Sequence, residues 1–333
     1  MKKSLIALAA LAAFGTASAQ STVSITGKFG YSYAQTTTNA GVKANGFYTS
    51  DGDVNFVAVE DLGGGLKAEA FMGIRLRGRE INADTGSSTA VGDQADGIGA
   101  RDARITLSGG FGSVTAGAVA SGSGIVARGS VGAAFNGLDH DGTLLDAEVN
   151  GVDLFQYTTP TISGFNGYVQ MVDSIGDPGA GGAQAAATVP SATVFGFNFA
   201  NGPLSANLDT TSFKRNASTS TADSRIRMSA MYDLGVAKVG FGYQTNDNTL
   251  TDVSQYIVGA AVPVGAWTFA VNLAGRETTT LATNAKVKNT GYEAGVNYAL
   301  SKRTSIAATY RTVNEGASEI DQKATRIRLM HSF

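Results

Sequence analysis

Alternation of apolar and polar residues with a period of two, repeated along almost the whole chain, limits how this sequence can fold more than any other feature does. In "STVSITGKFGYSYAQ", Val23, Ile25, Phe29, Tyr31 and Tyr33 fall on one face of an extended strand, and Ser24, Thr26, Lys28 and Ser32 on the other. Further on, Ile226, Met228, Ala230 and Tyr232 oppose Arg225, Arg227 and Ser229, and Val239, Phe241 and Tyr243 oppose Lys238, Gly240, Gly242 and Gln244. Trp267 to Leu273, Tyr292 to Leu300 and Ile306 to Tyr310 continue the pattern. In "LKAEAFMGIRLRGRE" the apolar face reads Leu66, Ala68, Ala70, Met72, Ile74 and Leu76, while the other carries Lys67, Glu69, Arg75, Arg77 and Arg79. Each run reads as a strand with one apolar face. One such strand suits a soluble sheet and a membrane wall equally, so the rest of the chain has to decide.

The chain opens "MKKSLIALAALAAFGTASAQ", with Lys2 and Lys3, an apolar run from Leu5 to Phe14, and the small-residue site Ala17-Ser18-Ala19. That order is the pattern of a secretory signal peptide over residues 1–19, which leaves residues 20–333 as a single mature domain. The apolar run is too short to span a bilayer as a helix, and no later segment has the roughly 20 consecutive apolar residues a membrane helix needs. An exported chain of this kind can enter a membrane only as a closed sheet. It has no cysteine, which excludes disulfides and thiol chemistry. Its 43 glycines suit turns and closely packed strand surfaces, and its scarcity of proline, 5 in all, leaves strand ladders unbroken.

Two kinds of connector alternate between the strands. The short ones are "DLGGG", "GGFG", "PTISGF", "ANGPL", "DLGVA", "PVGA" and "LSKR", all rich in turn residues. The long ones are polar and lack a period, at 36–48, 80–98, 120–150, 174–191, 214–222, 246–252, 276–288 and 314–321. They divide the chain into sixteen runs, the pattern of an up-and-down transmembrane barrel with short turns at one end and loops at the other. The expected fold is therefore all-β, a transmembrane antiparallel β-barrel of sixteen strands. With lipid outside, the apolar faces point outward. This sends Lys28, Lys67, Arg75, Arg77, Arg79, Arg104, Arg225, Arg227, Lys238, Arg311, Arg326 and Arg328 inward, with Asp53, Glu69, Asp209 and Glu293. A charge turned to lipid costs roughly 2 to 4 kcal/mol at the bilayer midplane, which excludes the reverse assignment. A barrel of this size holds water, so the interior is expected to be a charged aqueous channel.

Three motifs in order, "VEDLGGGLKAEA" (59–70), "ARITLSGGFGSVTAGA" (103–118) and the ending "LMHSF" (329–333), resemble the β-proteobacterial general porins, as does "NGVDLFQYTTPTISGF" at 150–165. The resemblance runs from the signal peptide to the last residue. It implies a Gram-negative trimeric outer-membrane porin with sixteen strands and a long third loop folded into each pore. It also makes the amphipathic last strand, "TRIRLMHSF", an assembly signal through its terminal Phe333. Two departures stand out: Asp53 and Val57 occupy a region where such porins commonly carry basic residues, and "TAGAVASGSG" after the "GGFG" turn is uncharged. Both weaken the expectation of strong anion selectivity.

The stretch 120–150 is the longest without strand period, and such segments are usually functional or disordered. Its first half carries only Arg128, and its second half carries Asp139, Asp141, Asp146 and Glu148. On residues alone, these acids read as a solvated surface loop or as a divalent-ion site under lipopolysaccharide. The resemblance implies instead an inward loop whose carboxylates face the arginine wall, producing a transverse field that sets ion preference. Enzyme readings find little support. The histidines are His140, in the acidic loop, and His331, on the outward face of the last strand, and no GxSxG or HExxH motif occurs.

The expected function is passive diffusion of ions and small hydrophilic solutes through the outer membrane, without catalysis, cofactor, metal or nucleic-acid partner. The expected partners are two further copies in a homotrimer, outer-membrane lipid and lipopolysaccharide, and the solutes themselves. A substrate-selective porin of the same fold is the alternative; a barrel hydrolase is a more distant one.

Overall fold

The computed structural model describes residues 21–76, 98–121, 124–131, 144–145, 149–173, 191–214, 222–316 and 321–333. It contains sixteen strands, as the alternation predicts. The first eight are β1 (Thr22–Thr37), β2 (Lys43–Gly63), β3 (Leu66–Leu76), β4 (Ile98–Gly109), β5 (Gly112–Ser121), β6 (Val149–Thr158), β7 (Phe165–Asp173) and β8 (Ser191–Asn201). The second eight are β9 (Leu204–Lys214), β10 (Ala222–Asp233), β11 (Lys238–Asn248), β12 (Thr251–Val264), β13 (Trp267–Thr280), β14 (Ala285–Ala299), β15 (Thr304–Glu315) and β16 (Gln322–Ser332). One helical turn, α1 (Val126–Gly129), lies between β5 and β6. Each strand pairs antiparallel with its sequence neighbours, and β1 also pairs with β16, so the sheet closes on itself. Closure gives the ladder N–H and C=O groups partners without water, which is the condition for crossing hydrocarbon with strands.

Side chains are distributed the opposite way from a soluble protein. Val23, Phe197 and Phe47 are 71 %, 65 % and 63 % exposed on the outer surface, whereas Asp53, Asp209, Glu293 and Arg311 are buried. Aromatic rings border the apolar band at both ends, as at the two interfaces of a membrane barrel. Near the β1–β2 connection, Tyr31 stacks on Phe47 at 6.1 Å and Tyr33 tilts against the same ring at 5.0 Å. Toward the other end, Trp267 meets Tyr298 at 4.5 Å and Phe165 meets Phe199 at 4.4 Å.

The short connectors are tight turns with clear causes. In "DLGGG", Gly63, Gly64 and Gly65 have φ of 82°, 63° and 81°, a run of left-handed conformations that only glycine adopts without strain. The Gly63 N–H donates to Asp61 Oδ1 at 2.9 Å and fixes the entry to the turn. Three of the connectors expected to be long loops are instead mostly strand: only 38–42, 249–250 and 281–284 separate the strands there. β2 alone has 21 residues, about twice the roughly 9 to 11 needed to span the bilayer. Its excess stands above the lipid with water on both sides, so nothing imposes a period of two on that part of the sequence.

The seam between β1 and β16 is finished by the last residue. The Gly27 N–H donates to the Phe333 carbonyl and the Phe333 N–H to the Gly27 carbonyl, both at 2.9 Å. A Cβ on Gly27 would lie 2.5 Å from Phe333 Cζ, so the ring covers bare glycine backbone on the outer surface. Phe333→Ala is expected to cost about 1–3 kcal/mol through lost ring burial. Deleting Phe333 is expected to cost more, because both Gly27 backbone groups then lose their partners. Urea unfolding in lipid vesicles, read by the heat-modifiable mobility of the barrel, checks the order; equal midpoints for all three proteins would remove Phe333 from the seam.

Candidate functional site: the barrel interior

A one-residue irregularity aims the first charged cluster. β1 and β2 pair in register up to Gly30 opposite Asp51, then shift so that Tyr31 faces Thr49. This bulge at Ser50 reverses which face the alternation serves. Below it Asp51 and Asp53 point inward, and above it Phe47, Asn45 and Lys43 share the outward face with Tyr33. Lys28 Nζ lies 2.7 Å from Asp51 Oδ1 and 3.5 Å from Asp53 Oδ2. Arg75 Nε donates to Asp53 Oδ1 at 3.3 Å, and Arg328 Nη1 to Asp51 Oδ2 at 2.7 Å. Three cations thus share two carboxylates. On the same wall the Arg326 guanidinium lies over the Tyr48 ring at 5.5 Å and that of Arg104 over Phe71 at 4.0 Å. Glu69, half-buried, pairs across the ladder with Thr106 on the same face.

A second cluster joins β7, β9 and β10. Arg227 Nε donates to both oxygens of its cross-strand partner Asp209, at 3.0 and 3.2 Å, and the Tyr168 hydroxyl reaches Asp209 Oδ2 at 3.4 Å. Arg225 Nη2 donates to Thr211 Oγ1 at 3.3 Å, with its guanidinium 5.4 Å from the Phe213 ring. Beside this cluster runs a neutral amide row: Gln170 donates to Gln156 at 3.3 Å, Asn198 to Asn166 at 3.1 Å, and Asn207 to Asn198 at 3.0 Å. Lys238 reaches Asp233 at 3.5 Å next to the β10–β11 turn.

Of the 120–150 stretch, the described residues between β5 and β6, 124–131 and 144–145, lie inside the barrel. Ile125, Val126, Leu144 and Leu145 form one buried cluster with Ile257 of β12, Ala274 of β13 and Val313 of β15; Val131 forms another with Ala261 and Ala270. The wall is notched to receive them. A Cβ on Gly240 would lie 2.1 Å from the Arg128 carbonyl oxygen, one on Gly242 2.6 Å from that of Ile125, and one on Gly259 2.6 Å from that of Gly129. Val131 N–H also donates to Asn272 Oδ1 at 3.4 Å, and Gly124 sits against Arg227, where a Cβ would lie 2.8 Å from Nη1. In a ring of sixteen, the strands that take α1, β10 to β12, lie eight strands away from β2 to β4.

Lys28, Asp53 and Arg75 are thus brought together, Arg326 and Arg328 join the same wall, and Arg225 and Arg227 form a separate group. Arg77, Arg79, Asp139, Asp141, Asp146, Glu148 and His140 lie outside the described residues. Sequence reasoning missed Asp51, the amide row and the apolar seat for the loop. The seat left a signal in "IVGAAVPV", which is apolar on both faces where one-sided alternation was due. Among the described residues no group of three or more His, Cys, Asp or Glu side chains is placed to hold a metal ion.

A closed barrel with an apolar outside, charged clusters within and a loop seated on its inner wall defines an outer-membrane channel. Known proteins agree. A family model described as Gram-negative porin matches residues 7–318. Outer membrane porin protein 32 of Delftia acidovorans is 32% identical over 289 residues, covering 80% of this chain and 77% of its own length. The chain belongs to the Gram-negative porin family, and it is an outer-membrane channel protein, not an enzyme. Solved structures share the fold. The anion-selective porin from Comamonas acidovorans has a TM-score of 0.69 at 23% identity, covering 94% of this chain and 100% of that one. The trimer form of OmpT from Vibrio cholerae gives 0.69 at 15%, covering 94% and 99%. OmpF of Salmonella typhi in complex with daunomycin gives 0.70 at 12%, covering 93% and 97%.

The glycine notches generate a test. A valine Cβ at Gly240 or Gly259 would lie 2.1 or 2.6 Å from a loop carbonyl oxygen, so each variant is expected to displace the loop from the wall and change single-channel conductance severalfold. Unchanged conductance in a folded Gly240→Val barrel would contradict the seating of the loop there.

Proposed function

We propose that the protein is a passive diffusion porin for ions and small hydrophilic solutes, its charge preference set by inner-wall arginines facing an acidic constriction loop. The observation that carries this reading is the apolar anchoring of residues 125–131 on β10 to β12, the wall opposite Lys28, Arg75 and Arg104, with Leu144 seated on Gly291 of β14 and Val313 of β15. In sequence, Asp139 and Asp141 fall between the two anchored pieces and Asp146 and Glu148 between Leu145 and β6; the reading takes them as the acidic side of the constriction, where opposed charges across a narrow opening orient solutes and select ions. Arg77 and Arg79, which follow Arg75 at every second position in the sequence, are proposed to line the pore with it. Preference is expected to be modest, because Asp51 and Asp53 offset much of the charge of Lys28, Arg75 and Arg328. The channel is proposed to work as a homotrimer, the form recorded for OmpT of Vibrio cholerae, and to reach the membrane after loss of residues 1–19.

Planar-bilayer recording tests the reading: ohmic steps in threes with weak selectivity are expected, and absence of conductance would sink it. Converting Arg75, Arg77 and Arg79 to Glu should shift the reversal potential toward cations. Neutralising Asp139, Asp141, Asp146 and Glu148, or Asp53→Asn alone, should shift it toward anions. The amide row of Gln156, Gln170, Asn166, Asn198 and Asn207 favours a second reading, a preference for hydroxyl-rich solutes. Concentration-dependent block of ion current by a neutral sugar, lost in Gln170→Ala, would select it.

A further inference from the structure

The inner wall that carries the amide row also holds an aromatic ring with one side open. Tyr168 of β7 pairs across the ladder with Gly196 of β8 and leans over it: a Cβ on Gly196 would lie 2.1 Å from Tyr168 Cζ and 2.4 Å from its hydroxyl oxygen. The hydroxyl reaches on to β9, where it donates to Asp209 Oδ2 at 3.4 Å and accepts from Asn207 Nδ2 at 3.2 Å. A side chain stretched over one strand and tied to the next lies along the wall, one side on bare glycine backbone and the other toward the lumen. The ring is half-buried. Three other inward rings, Tyr48, Phe71 and Phe213, each lie under a guanidinium, those of Arg326, Arg104 and Arg225. Among the described residues no ring or guanidinium stacks on Tyr168.

Neutral polar groups border this ring. Gln170 and Asn166 lie two residues to either side of Tyr168, on the same face of β7. Gln170 donates to Gln156 and Gln156 to Thr158 Oγ1 at 2.9 Å, while Asn207 donates to Asn198 and Asn198 to Asn166. An amide that gives one N–H to such a chain keeps a second, and Gln170 Oε1 keeps its lone pairs, so these side chains are oriented without being used up. The charged pair beside the ring, Arg227 with Asp209, is compensated within itself. Toward the periplasmic turns the same wall continues into a recess of about 340 Å³ whose lining includes Ser205, Met231 and Asp233.

This combination discriminates among hydroxyl-rich solutes. An open-chain polyol offers hydroxyls all round. A pyranose with equatorial hydroxyls has two apolar C–H faces and a belt of hydroxyls, which suit an aromatic face and the amides around it. An anion would meet a neutral row and an arginine already held by Asp209, and an apolar solute would strip water from the amides without replacing its bonds. We infer that Tyr168 is a stacking platform for one ring of a hexopyranose sugar, whose hydroxyls are taken by Gln170, Asn166 and Asn207. This platform rests on the second reading, a preference for hydroxyl-rich solutes, and adds a requirement for a ring.

Block of ion current through the unaltered porin in planar bilayers, by glucose and by its open-chain alditol sorbitol, tests this. Glucose is expected to block at about tenfold lower concentration than sorbitol, the margin of one aromatic contact. Tyr168→Leu should weaken glucose block about tenfold and change sorbitol block by less than about twofold, whereas Tyr168→Phe, which keeps the ring, should retain most of the glucose block. Equal block by the two solutes, or undiminished glucose block in Tyr168→Leu, overturns the platform. If the block is nevertheless lost in Gln170→Ala, the preference for hydroxyl-rich solutes stands without the platform. Absence of block by either solute overturns both.

Discussion

Hydrocarbon offers no hydrogen-bond partner, and the rest of this structure depends on that constraint. A strand in lipid must be bonded on both sides, so the sheet must close, and closing it forces the first strand to meet the last. The seam is therefore where chain ends matter. Gly27 and Phe333 exchange both of their main-chain bonds, and the aromatic ring lies over the glycine. The same constraint accounts for the turns: "DLGGG" reverses the chain within a few residues because three consecutive glycines accept left-handed φ.

Closure leaves an inner face with two incompatible tasks, to stay wet and to hold a loop. The barrel divides them by strand. Strands β16 and β1 to β4 carry paired and stacked charges, whereas β11 to β13 present Gly240, Gly242, Gly259, Ile257, Ala261, Ala270 and Ala274. Glycine lets loop carbonyls approach the wall, and the small apolar residues give Ile125, Leu144 and Leu145 a surface to bury against. Burial of apolar area fixes a segment in place without directional bonds.

Strand number, closure, face polarity and tight turns were all legible in the sequence, because lipid on one side and water on the other impose a local period of two. Where that asymmetry ends, the pattern ends too: the upper part of β2 is wet on both faces, and residues 36–48 therefore read as loop. The bulge was hidden for a different reason. Alternation counted through Ser50 puts Lys43 and Phe47 on the same face as Asp53, and only the pairing of Gly30 with Asp51 and of Tyr31 with Thr49 exposes the reversal. Loop seating brings Ile125 together with Ile257 and Leu144 with Val313, residues far apart in sequence whose contact no local pattern encodes. Its trace, the two-sided apolar run of β12, is visible only once a reason for it is known.

The arginines identify the channel, but their number does not measure the field inside it. Asp51 and Asp53 lie among Lys28, Arg75 and Arg328, and Asp209 lies against Arg227. At contact distance such pairs cancel for an ion several ångströms away, so a permeating solute senses the residue of each cluster. Three cations against two carboxylates leave the Asp51 and Asp53 cluster one positive charge, so neutralising either aspartate and neutralising any one cation shift it by one unit in opposite directions. The same reasoning applies across the opening. What an acidic loop adds is set by the charge the wall clusters leave uncancelled, so selectivity in this barrel is a property of how charges are grouped along β16, β1, β2 and β3, and the Ser50 bulge helps to set that grouping by keeping both aspartates inside.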